Sequence, residues 1–188
     1  MVGPALLEQA LQALGAVLRQ RGLSFEVVAI GGSSLMLLGL LDRPTQDLNL
    51  AALVSEEGYV KADPLPATLA EAAGDVATAL GLPATWLNAG PTSIVDTGFA
   101  GRVEVRRYGG LTLDIASRFD QIHLKLYAAA DQWPGSKHAD DLRRLAPTRD
   151  ELSAAARWAT SQDPSEGFRQ LLGDTLVELG IQDAGSIV

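Results

Sequence analysis

The sequence predicts an α/β fold: a small mixed β-sheet flanked by helices, followed by a helical C-terminal lobe. Three observations carry this prediction. Short apolar or alternating runs with strand character, Glu26–Ile30, 101–108 and Leu111–Ile115, are interleaved with amphipathic helical stretches up to residue 116. Beyond that point only helical periods remain, each opened by a capping residue or closed by a proline. No apolar run approaches the roughly 20 residues that a membrane helix needs. The chain therefore divides into an α/β core over residues 1–116 and a helical lobe over 117–188.

Taken in order, residues 4–21 place Leu7, Leu11, Leu14 and Leu18 at helical spacing, and Gly22 ends that amphipathic helix. Glu26–Ile30 is a buried strand. Gly31, Gly32, Ser33 and Ser34 make a turn, a short apolar helix covers Leu35–Leu41, and Asp42-Arg43-Pro44 breaks it. A second strand opens at Thr45, with Thr45, Asp47 and Asn49 on one face and Leu48 and Leu50 on the other. Ser55–Lys61 is polar and reads as a loop. Residues 64–80 form an alanine-rich helix stopped by Gly81 and Pro83, and Gly90-Pro91 makes a turn after Trp86-Leu87-Asn88. Trp86 is a core residue ahead of a base-stacking one. Gly109-Gly110 turns strand 101–108 into strand Leu111–Ile115, a hairpin. Ser117 and Asp120 have capping-box spacing before helix 120–132, which Pro134-Gly135 stops. Helices follow over about 137–145, from the Thr148/Glu151 capping box to about 161, and from Pro164-Ser165 to Gly180.

Composition narrows the function classes. Among 188 residues there is no cysteine, which excludes disulfides, thiolate zinc and a cysteine nucleophile, and two histidines make a histidine-rich metal site a poor reading. The N-terminus lacks the features of a signal peptide, so a soluble cytoplasmic protein is expected. A formal net charge of −8 argues against a general nucleic-acid binder. Residues 101–150 run against that trend, with nine Lys/Arg to seven Asp/Glu. Any RNA contact should therefore come from the middle of the chain.

Chemistry concentrates in 29–50, AIGGSSLMLLGLLDRPTQDLNL. A Gly-Gly-Ser turn at a helix start offers backbone N–H groups and a positive dipole end to a phosphate. An acid on the neighbouring strand is placed to hold the Mg²⁺ that bridges such phosphates. Asp47 is that acid. Asn49 can add its amide oxygen but brings no charge. Ser33 either donates to a phosphate or caps the helix behind it, and Thr45 shares the strand face of Asp47. Lys125 sits amid Ile122, Leu124 and Leu126, so its ammonium needs an anion, which a triphosphate or Asp141 would supply. The alternative for Lys125 and Asp141 is a salt bridge joining two helices. His123 reads as a helix-surface histidine.

At Gly31-Gly32-Ser33 and Thr45-x-Asp47 the chain resembles the nucleotidyltransferase superfamily of polymerase-β fold. With Lys125-Leu126-Tyr127-Ala128 and Asp141-Leu142 added, it is most similar to the AbiE-type and MenT-type nucleotidyltransferase toxins of prokaryotes. Asn49 departs from the pattern, standing where many relatives carry a second carboxylate. The resemblance implies Mg²⁺-dependent transfer of a nucleoside monophosphate from an NTP to an acceptor, the 3′ end of tRNA, by the toxin of a toxin–antitoxin pair. It implies Asp47, Lys125 and Asp141 as catalytic residues, Gly32, Ser33 and Thr45 as nucleotide contacts, and Asp47 with Asn49 at the metal. A cognate antitoxin is the protein partner it implies; by position rather than resemblance, Arg143 and Arg144, directly after Asp141, are better RNA contacts than Arg102 and Arg106 on the hairpin, whose patch Glu104 weakens. In the wider superfamily a third acid lies on a later strand, a position Asp114 matches. Two other readings stay open: a catalytically degenerate nucleotide- or partner-binding protein, and an enzyme modifying a small molecule as antibiotic nucleotidyltransferases do.

Overall fold

In the computed structural model, residues 2–90, 101–132 and 136–187 are described. The turn at Pro91 and the helix stop at Pro134-Gly135 lie outside them. The chain forms two compact units, Met1–Ser117 and Arg118–Val188.

In the first unit, helix α1 (Pro4–Gln20) precedes strand β1 (Phe25–Ile30), which passes directly into helix α2 (Gly31–Leu37). Strands β2 (Leu48–Ser55) and β3 (Gly58–Lys61), helix α3 (Ala67–Leu80), and strands β4 (Leu87–Ala89), β5 (Glu104–Tyr108) and β6 (Leu111–Ile115) complete it. The sheet is mixed and six-stranded, in the order β3-β2-β1-β6-β5, with β4 also paired to β2. β1 runs antiparallel to β2 and parallel to β6. β2 shares its other edge between β4, parallel to Leu48–Leu50, and β3, antiparallel to Ala52–Ser55. Residues 55–61, expected as a loop, are thus a tight hairpin. Its strand faces are largely exposed, so no apolar alternation marked it.

The core lies on one sheet face. Leu7, Leu11, Leu14 and Leu18 of α1 and Leu69, Ala72 and Val76 of α3 bury against Val27, Ala29, Leu48, Leu50, Leu113 and Ile115. Burying one such leucine stabilises the fold by about 1.5–3 kcal/mol. Gly15 lets α1 approach the β5–β6 hairpin closely. A Cβ there would stand 1.4 Å from the Tyr108 carbonyl oxygen, while Gly110 N–H donates to Gly15 O at 2.8 Å. Trp86 is buried in this core and its Nε1 donates to Ala73 O at 2.9 Å, as a core tryptophan requires.

One irregularity decides what points where. β1 pairs Val27 with Leu53 and Val28 with Ala52, but then Ala29 with Leu50 and Ile30 with Asn49. Ala51 is therefore an extra residue in β2, a β-bulge. It lets Leu53, Leu50 and Leu48 all face the α1/α3 core, and it turns Asn49 to the opposite face.

The second unit is helical: α4 (Arg118–Asp131), α5 (Lys137–Leu145), α6 (Arg149–Gln162) and α7 (Glu166–Glu178), then a short 3₁₀ turn, Ala184–Ser186. α4 packs against the other three helices. Ser136 and Ser165 cap α5 and α7, and Thr148 with Glu151 forms a full capping box on α6. His123, expected on a helix surface, is buried on α4. Its ring lies 4.2 Å from Phe119 and 5.8 Å from Trp158, and its Nδ1 is 2.8 Å from Phe119 O.

Candidate functional site

The Gly-Gly-Ser segment differs from its expectation. α2 begins at Gly31, four residues earlier than expected, and Gly39 at φ +69° follows its end. Glycine is a poor helix former, which made the pair read as a turn. Gly31 has φ +86°, a left-handed value that swings β1 straight into α2 without a loop. Ser33 is thus inside the helix, not its cap. A Cβ on Gly32 would meet Thr45 Cγ2 at 3.2 Å and Arg43 Nη2 at 3.3 Å, so a side chain there would have to displace both.

Ser33 ties the helix to the segment before β2. Its Oγ lies 2.6 Å from Thr45 Oγ1 and also donates to the Asp47 main-chain carbonyl. A hydroxyl has one proton, so the Thr45 hydroxyl must donate to Ser33. Thr45 is buried and pairs with Val2 in an isolated bridge, so the strand opens at Leu48, not at Thr45. Thr45 and Ser33 therefore brace one another, and their contact to Asp47 is through its backbone.

The Asp47 side chain, half-buried at the head of β2, is held on both oxygens. Asn49 Nδ2 donates to Oδ1 at 3.2 Å, and Asn88 Nδ2 donates to Oδ2 at 3.0 Å. The β2–β4 register places Asn88 directly beside Asn49. Gly31 and Gly90 leave room for that pair: a Cβ on Gly31 would lie 3.6 Å from Asn49 Nδ2, and one on Gly90 would lie 3.1 Å from Asn49 Cβ. Beside Asp47 opens a recess of about 280 Å³ lined by Gln46, Asp47, Pro83 and Thr85.

Among the described residues no group of three or more His, Cys, Asp or Glu gathers as a metal cage. The donor set at Asp47 still suits a hard divalent cation: one carboxylate and two carboxamides, all capable of oxygen ligation. Mg²⁺ accepts such a set because it keeps several waters and takes its remaining ligands from phosphate.

Asp114 is on the same sheet face as Asn49, but it pairs with Val28 while Asn49 pairs with Ile30. Two strand spacings and two residues along β1 separate their backbones by about 12 Å. That is too far for two side chains rising side by side to share one ion. Asp114 is buried, its Oδ1 has no hydrogen-bond partner among the described residues, and burial pushes its pKa up. Glu26 adds to that shift, while Arg107 opposes it.

Lys125 and Asp141 belong to the helical unit and pair with each other. Lys125 Nζ donates to Asp141 Oδ2 at 2.7 Å, with side chains 5% and 0% exposed, and His138 Nδ1 lies 3.4 Å from the same ammonium. Arg143 forms ion pairs with Asp140, at 2.8 Å, and with Glu178. Arg144 is exposed on the same helix.

Of the residues singled out in the sequence, Gly32, Ser33, Thr45, Asp47 and Asn49 are brought together in the first unit. Asn88 and Arg43 belong to the same cluster and were missed. Arg43 was read only as a helix breaker. Asn88 was passed over because its partner, Asp47, is 41 residues away. No family model matches the chain, and neither does any curated protein or solved structure.

Proposed function

We propose that this chain is a nucleotidyltransferase that moves a nucleoside monophosphate from an NTP to an acceptor hydroxyl. One observation carries the reading: a single acid, Asp47, has both oxygens held by carboxamides and lies beside a strand–glycine–helix junction. In this reaction the acceptor oxygen bonds to the α-phosphorus, the bond to the bridging oxygen of pyrophosphate breaks, and the acceptor proton passes to solvent. Bound Mg²⁺ would neutralise charge on the transferring and leaving phosphates.

The residues of the chain have separate tasks. Asp47 holds the ion, and Asn49 and Asn88 fix the direction of its carboxylate. Gly32 gives Thr45 and Arg43 the room they fill beside α2, and its contact to phosphate rests on the resemblance alone. Ser33 and Thr45 hold the segment that carries Asp47 against α2. The resemblance assigns Lys125 and Asp141 to phosphate and acceptor, while their mutual salt bridge, buried within the helical unit, supports the other reading, a structural pair. An acceptor at the tRNA 3′ end, toxin action and an antitoxin partner rest on the resemblance alone, as does a cytoplasmic location. No helix among the described residues is long and apolar enough to cross a membrane. Arg144 is the better of the two RNA contacts, because Arg143 already serves two carboxylates.

A second reading, nucleotide binding without transfer, is favoured by the lone carboxylate. Incubation with each α-labelled NTP, Mg²⁺ and total RNA separates the two. Label should enter RNA with the wild-type chain and not with Asp47→Ala. Nucleotide retention without label transfer would establish the second reading, and label transfer surviving in Asp47→Ala would overturn the role of Asp47.

A further inference from the structure

Asn88 makes two hydrogen bonds through one nitrogen: to Asp47 Oδ2 at 3.0 Å and to Thr85 O at 3.1 Å. A carboxamide NH₂ has two protons, so both are used, and its oxygen is the remaining polar atom. Thr85 also lines the recess beside Asp47. The recess therefore reaches Thr85, the residue that Asn88 also bonds, while Asn49 lies on the side of Gly31 and Gly90.

We infer that Asn88, rather than Asn49, is the side chain that joins Asp47 in holding a divalent cation. The inference deepens the nucleotidyl-transfer reading and rests on it for the purpose of the ion. The spacing supports it. In an octahedral Mg²⁺ site with ligands at about 2.0–2.1 Å, neighbouring oxygens stand about 2.9 Å apart. Asn88 Nδ2 is 3.0 Å from Asp47 Oδ2. A half-turn of the carboxamide exchanges its nitrogen and oxygen and gives up the bond to Thr85 O, so three oxygens, of Asp47, Asn88 and Thr85, then face one another and need the cation as their common partner. Without the ion, the amide nitrogen donates to the carboxylate and holds it in direction. With the ion, the amide oxygen and the carboxylate oxygen face it together. Asn49, on the glycine side of the carboxylate, stays a positioning residue. The site carries one carboxylate, whose charge the Arg43 guanidinium beside Gly32 and Thr45 partly offsets, so the free protein holds the ion weakly and the phosphates of a nucleotide complete its shell.

The test uses Mn²⁺ alone, read by electron paramagnetic resonance, with thermal melting as a second readout on the full chain. Asn88→Asp places a second carboxylate against Asp47 and should raise Mn²⁺ affinity at least about tenfold over wild type. Asn49→Asp should raise it much less. In cation-free buffer Asn88→Asp should melt earlier than wild type, because two carboxylates face each other, and Mn²⁺ should restore it while NaCl of equal ionic strength does not. If Asn88→Asp does not fold without cation, refolding in MnCl₂ reads the same property, and failure to recover there overturns the inference. An affinity equal to wild type, a larger gain in Asn49→Asp, or a gain that survives adding Asp47→Asn also overturns it. An Asp47-dependent gain in a chain that transfers no nucleotide keeps the ion site and removes the enzymatic reading.

Discussion

Replacing Lys125 by Met keeps the apolar stem and removes the ammonium, which leaves Asp141 as a fully buried carboxylate without its cation. The salt bridge is 2.7 Å long and both side chains are almost wholly out of water. Breaking a pair of this kind from one side costs about 3–5 kcal/mol, because the surviving charge loses its compensation. A domain is stable by only about 5–15 kcal/mol, so at least about a fifth of that margin would go. With a urea slope of about 2 kcal/mol per molar, the unfolding midpoint should fall by about 2 M. The double variant Lys125→Met with Asp141→Leu removes both charges and should recover most of the loss. Urea titration followed by far-UV circular dichroism reads both. A Lys125→Met midpoint within 0.3 M of wild type, by the same roughly 2 kcal/mol per molar slope, would mean the pair is not the dry contact described here. The same variants weigh the ammonium as a phosphate contact. If the double variant regains stability but transfers no nucleotide, Lys125 or Asp141 serves the reaction as well as the fold.

Two further predictions concern backbone and charge. Gly15→Ala should lower the melting temperature sharply, since its Cβ would overlap the Tyr108 carbonyl, whereas Gly74→Ala, inside α3 with nothing within 4 Å, should stabilise by about 0.5–1 kcal/mol; equal effects in a thermal melt would refute the packing of α1 on the hairpin. For Asp114, the folded state binds its proton more tightly than the unfolded chain does, so stability falls as pH rises from the ordinary carboxylate range to the raised folded value and stays lower above it. Asp114→Asn should therefore be the more stable protein at neutral pH, with the gain shrinking on acidification, and a gain independent of pH in urea titrations would refute this.

The sequence made most of the fold legible because the core is written in strong periods. The leucines of α1, the alanine stripe of α3 and the capping box at Thr148 each have a local signature, and the structure keeps them. What escaped is non-local or runs against propensity. Gly31 and Gly32 enter a helix that their own preference disfavours, because a positive φ is needed to leave β1. The hairpin Ser55–Lys61 lacks a buried face to announce it. Gly31, Ser33, Thr45 and Asp47 were close enough along the chain to be read as one cluster, but Asn88 joins them only through the parallel pairing of β4 with β2. The mutual pairing of Lys125 and Asp141 was one of two readings of the sequence, and a strand of residue letters could not choose between them.

The extra residue Ala51 gives β2 two reading phases. Downstream of it, odd-numbered Leu53 faces the helices; upstream, even-numbered Leu50 and Leu48 do, and Asn49 is released to the other side. Removing Ala51 would restore a single phase along the whole strand. The pairs Val27–Leu53, Val28–Ala52, Ala29–Leu50 and Ile30–Asn49 would all survive, with Leu48, Leu50 and Leu53 still inward and Asn49 still outward, because the bulge residue is the one that has no partner on β1. A one-residue deletion at this alanine should therefore leave the Asp47 centre assembled and remove only the local bend and added twist that a bulge gives its strand.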